Sequence, residues 1–200
     1  MKTHSKSKCL LALVLAIAIA TTGCSSQWIN IALQDMPVLT QMALNIATLV
    51  ATLASGNQAS TADVAVIQNI SAQASRDLNL LQTLYNEYKA NPSADTRQKI
   101  QNVISDLNQN LPALIEAAHI SNATLAARVT AAVNLILTTV NSFASLIPQS
   151  TIPQSTPATS QKAKVSLPRP TDLKREWNQQ VCVLSGDAGF DQALTMCSIK

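Results

Sequence analysis

Residues 64–88 read VAVIQNISAQASRDLNLLQTLYNEY. Val64, Ile67, Ser71, Ala74, Leu78, Leu81, Tyr85 and Tyr88 recur at three- and four-residue steps. That is the spacing of a helix that buries one seam, held here for about seven turns, and a period of this kind excludes a strand. It is a heptad seam with small residues, Ser71 and Ala74, in its middle. Ser60, with Asp63 three residues on, is close to a capping box in front of the seam. Asn91 followed by Pro92 ends it.

Working outward, the same grammar recurs on both sides. Upstream, Asp35 before Met36 and Pro37 reads as a helix start. Leu39, Met42, Ile46, Leu49, Val50 and Leu53 form its stripe, and Ser55, Gly56 and Asn57 stop it. Downstream, a third helix begins near Ser93 and carries Ile100, Val103, Ile104 and Leu107. Pro112 is expected to kink or break it, because proline removes a backbone bond and clashes with the preceding turn, with a short helical piece following over 112–120. A fourth opens at Ser121 and Asn122, with Leu125, Val129, Val133, Ile136, Val140, Phe143 and Ile147 on one face, and ends at Pro148. Short connections favour antiparallel neighbours. The expected fold is all-α: an up-down antiparallel four-helix bundle over residues 36–147, followed by a Pro/Ser/Thr-rich linker and a small C-terminal tail module.

The linker starts where the composition changes. Residues 147–156 read IPQSTIPQST, a direct repeat, and prolines punctuate a Ser/Thr/Gln-rich stretch over 148–170. Such a stretch cannot bury enough apolar surface to fold, and suggests reach. The tail module, 171–200, has Thr171 as a candidate cap, VCVL (181–184) as a strand or helix continuation and SGDAG (185–189) as a turn. Cys182 and Cys197 flank that turn. Paired, they would close a loop of ~15 residues worth ~3 kcal/mol in the chain-entropy model; unpaired, they leave a disordered tail with two thiols.

The chain opens with Lys2, His4, Lys6 and Lys8, then an apolar run, CLLALVLAIAIA (9–20), too short to span a bilayer, which needs ~20 residues. A basic start, a short apolar core and small residues are the parts of an export signal. Cleavage could follow Ala18-Ile19-Ala20. Alternatively, Thr21-Thr22-Gly23-Cys24 resembles the lipobox of bacterial lipoproteins. That resemblance implies a signal peptide over 1–23 and acyl chains, palmitate among them, on Cys24. Ser25 and Ser26, in place of an Asp after the cysteine, imply the outer membrane if the host is Gram-negative. Cysteine arithmetic favours the lipobox. Cys9 leaves with the signal and Cys24 carries lipid, so Cys182 and Cys197 remain as an even pair; cleavage after Ala20 leaves an odd thiol. Residues 24–35 then form a membrane-proximal segment which, with Trp28, Ile31 and Leu33, either lies near the membrane or packs on the domain.

Without Lys2, Lys6 and Lys8, the 14 Lys+Arg fall to 11, against 11 Asp+Glu. A neutral chain with 3% aromatics has neither the field nor the stacking platforms for nucleic acid. Only 12% of residues are charged, about half the usual ~25%. Residues 36–62 and 129–161 carry no charge at all, so the first and fourth helices are buried by neighbours, face a partner, enter lipid, or present an uncharged polar surface.

Few residues could carry chemistry. His119, the one histidine after the signal, is a candidate base or metal ligand, or a helix-end residue favoured by the dipole. A zinc site needs further ligands. Asp187 and Asp191 lack the alternating oxygens of a calcium loop and suit a capped turn. Glu87 and Glu116 could meet across the bundle. No P-loop, Rossmann pattern or nucleophile elbow is present. The expectation is no catalytic residue, no metal and no cofactor. The chain reads as a lipid-anchored cell-envelope protein acting as a non-enzymatic binding or scaffold module, held to the membrane through Cys24 and joined to a protein partner. A membrane-active helical protein and a small hydrolase using His119 are the alternatives.

Overall fold

The seam over 64–88 forms part of α2 (Thr61–Ala90) in a computed structural model that describes residues 27–55, 59–147 and 167–200. The export signal, Cys24 and residues 148–166 lie outside the described residues. Ser60 caps α2, accepting from the Asp63 N–H at 3.0 Å, and Asn91 closes it with its N–H on the Glu87 carbonyl. Ile67, Ser71, Ala74, Leu78, Leu81 and Tyr85 are buried as the period requires.

The described residues hold five further helices: α1 (Gln27–Ser55), α3 (Ala94–Ala118), α4 (Ala123–Ala144), α5 (Pro170–Gln180) and α6 (Ala188–Cys197). The described residues are all-α, with no strand. The small middle of the α2 seam lets α1 come close enough for the Ser71 hydroxyl to donate to the Ala43 carbonyl at 2.6 Å. Trp28, at the start of α1, meets Tyr85, near the end of α2, edge-on at 5.7 Å. The Thr96 hydroxyl donates to Glu87 at 2.8 Å, tying the start of α3 to the end of α2. Asp63, in the first turn of α2, accepts from the Ser121 N–H and hydroxyl just before α4. At the opposite end Tyr85 meets Phe143 at 6.5 Å, so α2 and α4 point the same way. Asn108 and Asn141 exchange amide hydrogen bonds of 2.8 Å and join α3 to α4. One end of the domain therefore gathers the start of α1, the end of α2, the start of α3 and the end of α4.

Four local expectations are corrected. The first helix does not begin at Asp35; it runs unbroken from Gln27, so most of the segment expected over 24–35 is helix. Trp28, Ile29 and Ala32 extend the buried stripe of Met36, Leu39, Ala43, Ile46, Val50 and Leu53. Burying Trp28 and Ile29 is worth about 1.5–3 kcal/mol each, which offsets the ~3 kcal/mol cost of Pro37 inside the helix. Pro37 itself is exposed, so the carbonyl it leaves unpaired lies on the solvent side. Likewise Pro112 does not break α3, which continues to Ala118. It sits on the exposed face, while buried Leu111 and half-buried Leu114 and Ile115 keep the last turns packed. In the tail, Thr171 is not the cap: α5 starts at Pro170, where the missing N–H costs nothing, and residues 181–184 continue neither as strand nor as helix.

The tail is not a separate body. Trp177 is fully buried, and Leu173, Val181, Phe190 and Leu194 join the same continuous core as α1 to α4. Its seat is a second stripe on α1, Val38, Met42, Asn45 and Leu49, in which Asn45 donates to the Cys197 carbonyl at 3.1 Å. Neighbours on two sides leave α1 little room for charge. In α4, buried Ala132, Val133, Leu135, Ile136, Leu137, Thr139 and Val140 show the same crowding. Burial by other helices accounts for the uncharged inner faces of α1 and α4, while their exposed faces carry uncharged polar residues such as Gln34, Gln41, Thr48, Asn134 and Asn141.

Candidate functional site

The most unusual group in the protein lies where the tail meets the bundle. Asp35 sits on the tail-facing stripe of α1, three residues before Val38, and is completely buried. Neither carboxylate oxygen has a hydrogen-bond partner among the described residues. Burial pushes its carboxyl up to about 7, and the Asp172 carboxylate on α5 adds to the push. A carboxyl so placed is held neutral in mildly acidic water and resists ionisation near neutrality. In the sequence Asp-Met-Pro reads as a start signal; only the upstream turns of α1 make Asp35 an interior residue.

Asp172 itself is well held. It takes Arg169 at 3.0 Å and Arg175 at 2.9 Å, and the Arg169 hydrogen bond foremost keeps it below the usual carboxylate range. At the other end of α5, Arg128, the one charge on α4, donates to the carbonyls of Gln180 and Val183, each at 3.0 Å. The Gln180 carbonyl is one left open by the end of the helix, where a cation suits the dipole, and Val183 lies in the loop beyond it. The disulfide between Cys182 and Cys197, with Cα atoms 6.0 Å apart, closes the tail. The Cys197 carbonyl also accepts from the buried Trp177 indole at 2.9 Å.

An open groove of about 580 Å³ runs beside this junction, lined by Val38, Gln41, Asn45, Lys174, Met196 and Ile199 among others. Lys174 donates to the Lys200 carbonyl at 2.7 Å, Asn45 to Cys197, and Gln41 to Asn45 at 2.7 Å, and Ser198 and Lys200 also line the groove. A smaller depression of about 340 Å³ between α2 and α3 is lined by Asn69, Gln73, Asn110 and Leu114, amides without a titratable group.

The other candidate residues are dispersed. His119 is exposed and terminates α3 in the left-handed region, φ 43° and ψ 46°, where glycine or asparagine is the usual choice. Among the described residues no three His, Cys, Asp or Glu side chains gather as a metal site. Asp187 caps α6, accepting from the Gly189 and Phe190 N–H groups. Asp191 accepts from the N–H groups of Ser185 and Gly186 and from the Ser185 hydroxyl, and the Ser185 N–H foremost holds its carboxyl low. Glu87 and Glu116 do not meet: Glu87 ends α2 against the start of α3, while Glu116 lies in the last turn of α3, at the far end of the pair. Cys24 lies outside the described residues. Set against known families, curated proteins and solved structures, the chain matches none.

Proposed function

We propose that this is a lipid-anchored protein of the bacterial cell envelope, in the outer membrane where the host is Gram-negative. Its helical domain acts as a non-enzymatic binding or scaffold module for another envelope protein. We read α1 to α4 as an up-down antiparallel bundle, supported by the Trp28–Tyr85, Asp63–Ser121 and Tyr85–Phe143 contacts. The observation that carries the functional reading is how the reactive side chains are used. Asp63, Arg128, Asp187 and Asp191 hold one helix or loop to another, or cap a helix, Asp172 pairs with two arginines of its own helix, and His119 ends a helix in the open. A domain that uses these groups in its own architecture leaves its extensive uncharged Asn, Gln, Ser and Thr surface for recognition. The Gly23–Cys24 junction after the apolar run supports the anchor.

The test is the intact mass of the membrane-extracted protein beside Cys24→Ser, with and without reduction, followed by crosslinking in cells. Acyl mass on a chain beginning at Cys24, lost in the variant, together with a bundle- or tail-dependent crosslinked partner, is the expected result. An unacylated chain, or no such partner, overturns it. One observation favours a second reading, a membrane-active protein: α1 and α4 are long and apolar enough to cross a bilayer, with mean hydropathy 1.5 in each. Half of each such window is buried inside the domain, so this reading requires the bundle to open. Dye release from liposomes separates the two; absence of leakage across pH 5 to 8 removes the second.

A further inference from the structure

Asp35 is covered by a part of the chain that can leave. It lies on the stripe of α1 that seats the tail, with no exposure to solvent and both oxygens unpartnered among the described residues. Ionised there, it is an unpaired charge in an apolar seat; ionised with the tail away, it is a solvated carboxylate on the side of a helix. Among the described residues no cation is placed to pair with it. On α5 the charge that acts on it is the Asp172 carboxylate, and Arg169 and Arg175 are engaged with Asp172. Lys174 is on the Lys200 carbonyl, and Glu176 is a further acid. On α6, Asp187 caps its own helix and Asp191 holds Ser185 and Gly186. The one charge on α4, Arg128, is engaged with the end of α5. From α2, buried Leu78, Leu81 and Tyr85 face the core, and α1 itself carries no charge beyond Asp35.

The tail is braced within itself. The Trp177 indole donates to the Cys197 carbonyl at 2.9 Å, and the Asn178 side chain and the Ile199 backbone exchange bonds of 3.0 and 2.9 Å. The Cys182–Cys197 disulfide ties the end of α5 to the end of α6. Polar ties to the bundle sit at the edges of the seat, from Arg128 to Gln180 and Val183 and from Asn45 to Cys197. α5 and α6 have 11 and 10 residues, against 22 to 30 in the four bundle helices. They also follow α4 in the chain, so their departure breaks no bundle helix. Small peripheral units of this kind open at lower free energy than the core they rest on.

We propose that the tail is a pH-gated cover: with Asp35 protonated it is seated on α1, and loss of that proton opens it and bares the α1 stripe of Val38, Met42 and Leu49.

The direction follows from linkage. In the seated form burial holds the Asp35 carboxyl up at about 7, whereas in the open form it returns towards the ordinary 3.8. The open form therefore binds fewer protons between those values, and opening grows with pH across that window and levels off above it. From pH 5 to pH 8 the opening equilibrium should rise by at least tenfold and at most about a hundredfold.

The experiment is amide hydrogen exchange on the disulfide-intact full chain and on Asp35→Asn, at pH 5, 6, 7 and 8, corrected for intrinsic rates. Amides of α5 and α6 should be less protected than those of the α2 seam over 67–85 at every pH. In the wild type that lower protection should fall by tenfold to a hundredfold from pH 5 to pH 8, and in Asp35→Asn it should stay level. Tail amides protected as strongly as the α2 seam overturn the proposal, since only global unfolding would then release the tail. Tail protection that is level in the wild type overturns it as well, and this comparison needs no variant to fold. An equal fall in Asp35→Asn assigns the pH dependence to another group and likewise overturns it.

Discussion

Replacing Asp35 by Asn should stabilise this protein, and more so as pH rises. The carboxyl is fully buried without a partner among the described residues and stands at about 7 in the folded state, against 3.8 for the ordinary group. Between those values the folded carboxyl is neutral and the unfolded one is ionised, so the unfolded state binds fewer protons and stability falls with pH. A displacement of about 3 pH units at 1.36 kcal/mol each comes to roughly 4 kcal/mol, lost progressively from about pH 4 to 7 and level above. Asn keeps the shape and removes the charge. Urea unfolding of the oxidised protein at pH 5 and pH 8 is the assay. The wild-type midpoint should drop between the two, the Asp35→Asn midpoint should hold, and the variant should exceed wild type at pH 8 by about 2–4 kcal/mol. The window avoids Asp63, Asp172 and Asp191, which are held low and titrate in more acid solution. A wild-type midpoint that stays level or rises from pH 5 to 8 would refute the reasoning, since it would mean that the carboxylate is solvated or paired.

Arg128→Ala should loosen the tail, because two charge-assisted bonds to Gln180 and Val183 disappear; a loss of about 1.5–3 kcal/mol, with faster amide exchange in α5, is expected. Reducing the Cys182–Cys197 bond should cost about 3 kcal/mol, seen as a lower midpoint in dithiothreitol, and Cys182→Ala should reproduce it. Tyr85 buries a hydroxyl without a partner among the described residues, and burial drives its ionisation far above normal, so Tyr85→Phe should be neutral or stabilising by up to about 1 kcal/mol in thermal unfolding. His119→Gly should raise stability by about 0.5–1 kcal/mol, since the residue stands in the left-handed region; a loss would instead assign the imidazole a contact worth keeping.

The seam over 64–88, the caps at Ser60, Ser93 and Asn122, and the turn at Asp187 were all readable because each is a local device: the signal and the effect lie within a few residues. The two internal prolines misled for the same reason. Local rules start a helix at Pro37 and kink or end one at Pro112, whereas here each proline faces solvent and lies inside a helix that buried neighbours hold together on both sides of it. Helix propensity is a weak prior that tertiary burial overrides.

The sequence by itself determined the all-helical class, the main seams and the scarcity of charge, because periodicity and composition need no partner to be expressed. Tertiary structure alone decided that the tail folds back onto α1 and α4, that Arg128 clamps it, and that Asp35 is an interior carboxyl at the junction. Those facts depend on residues more than 50 positions apart in the chain, Arg128 with Gln180 or Asn45 with Cys197. No local pattern encodes such a pairing; it arises only when the second apolar stripe of α1 finds the one surface able to cover it.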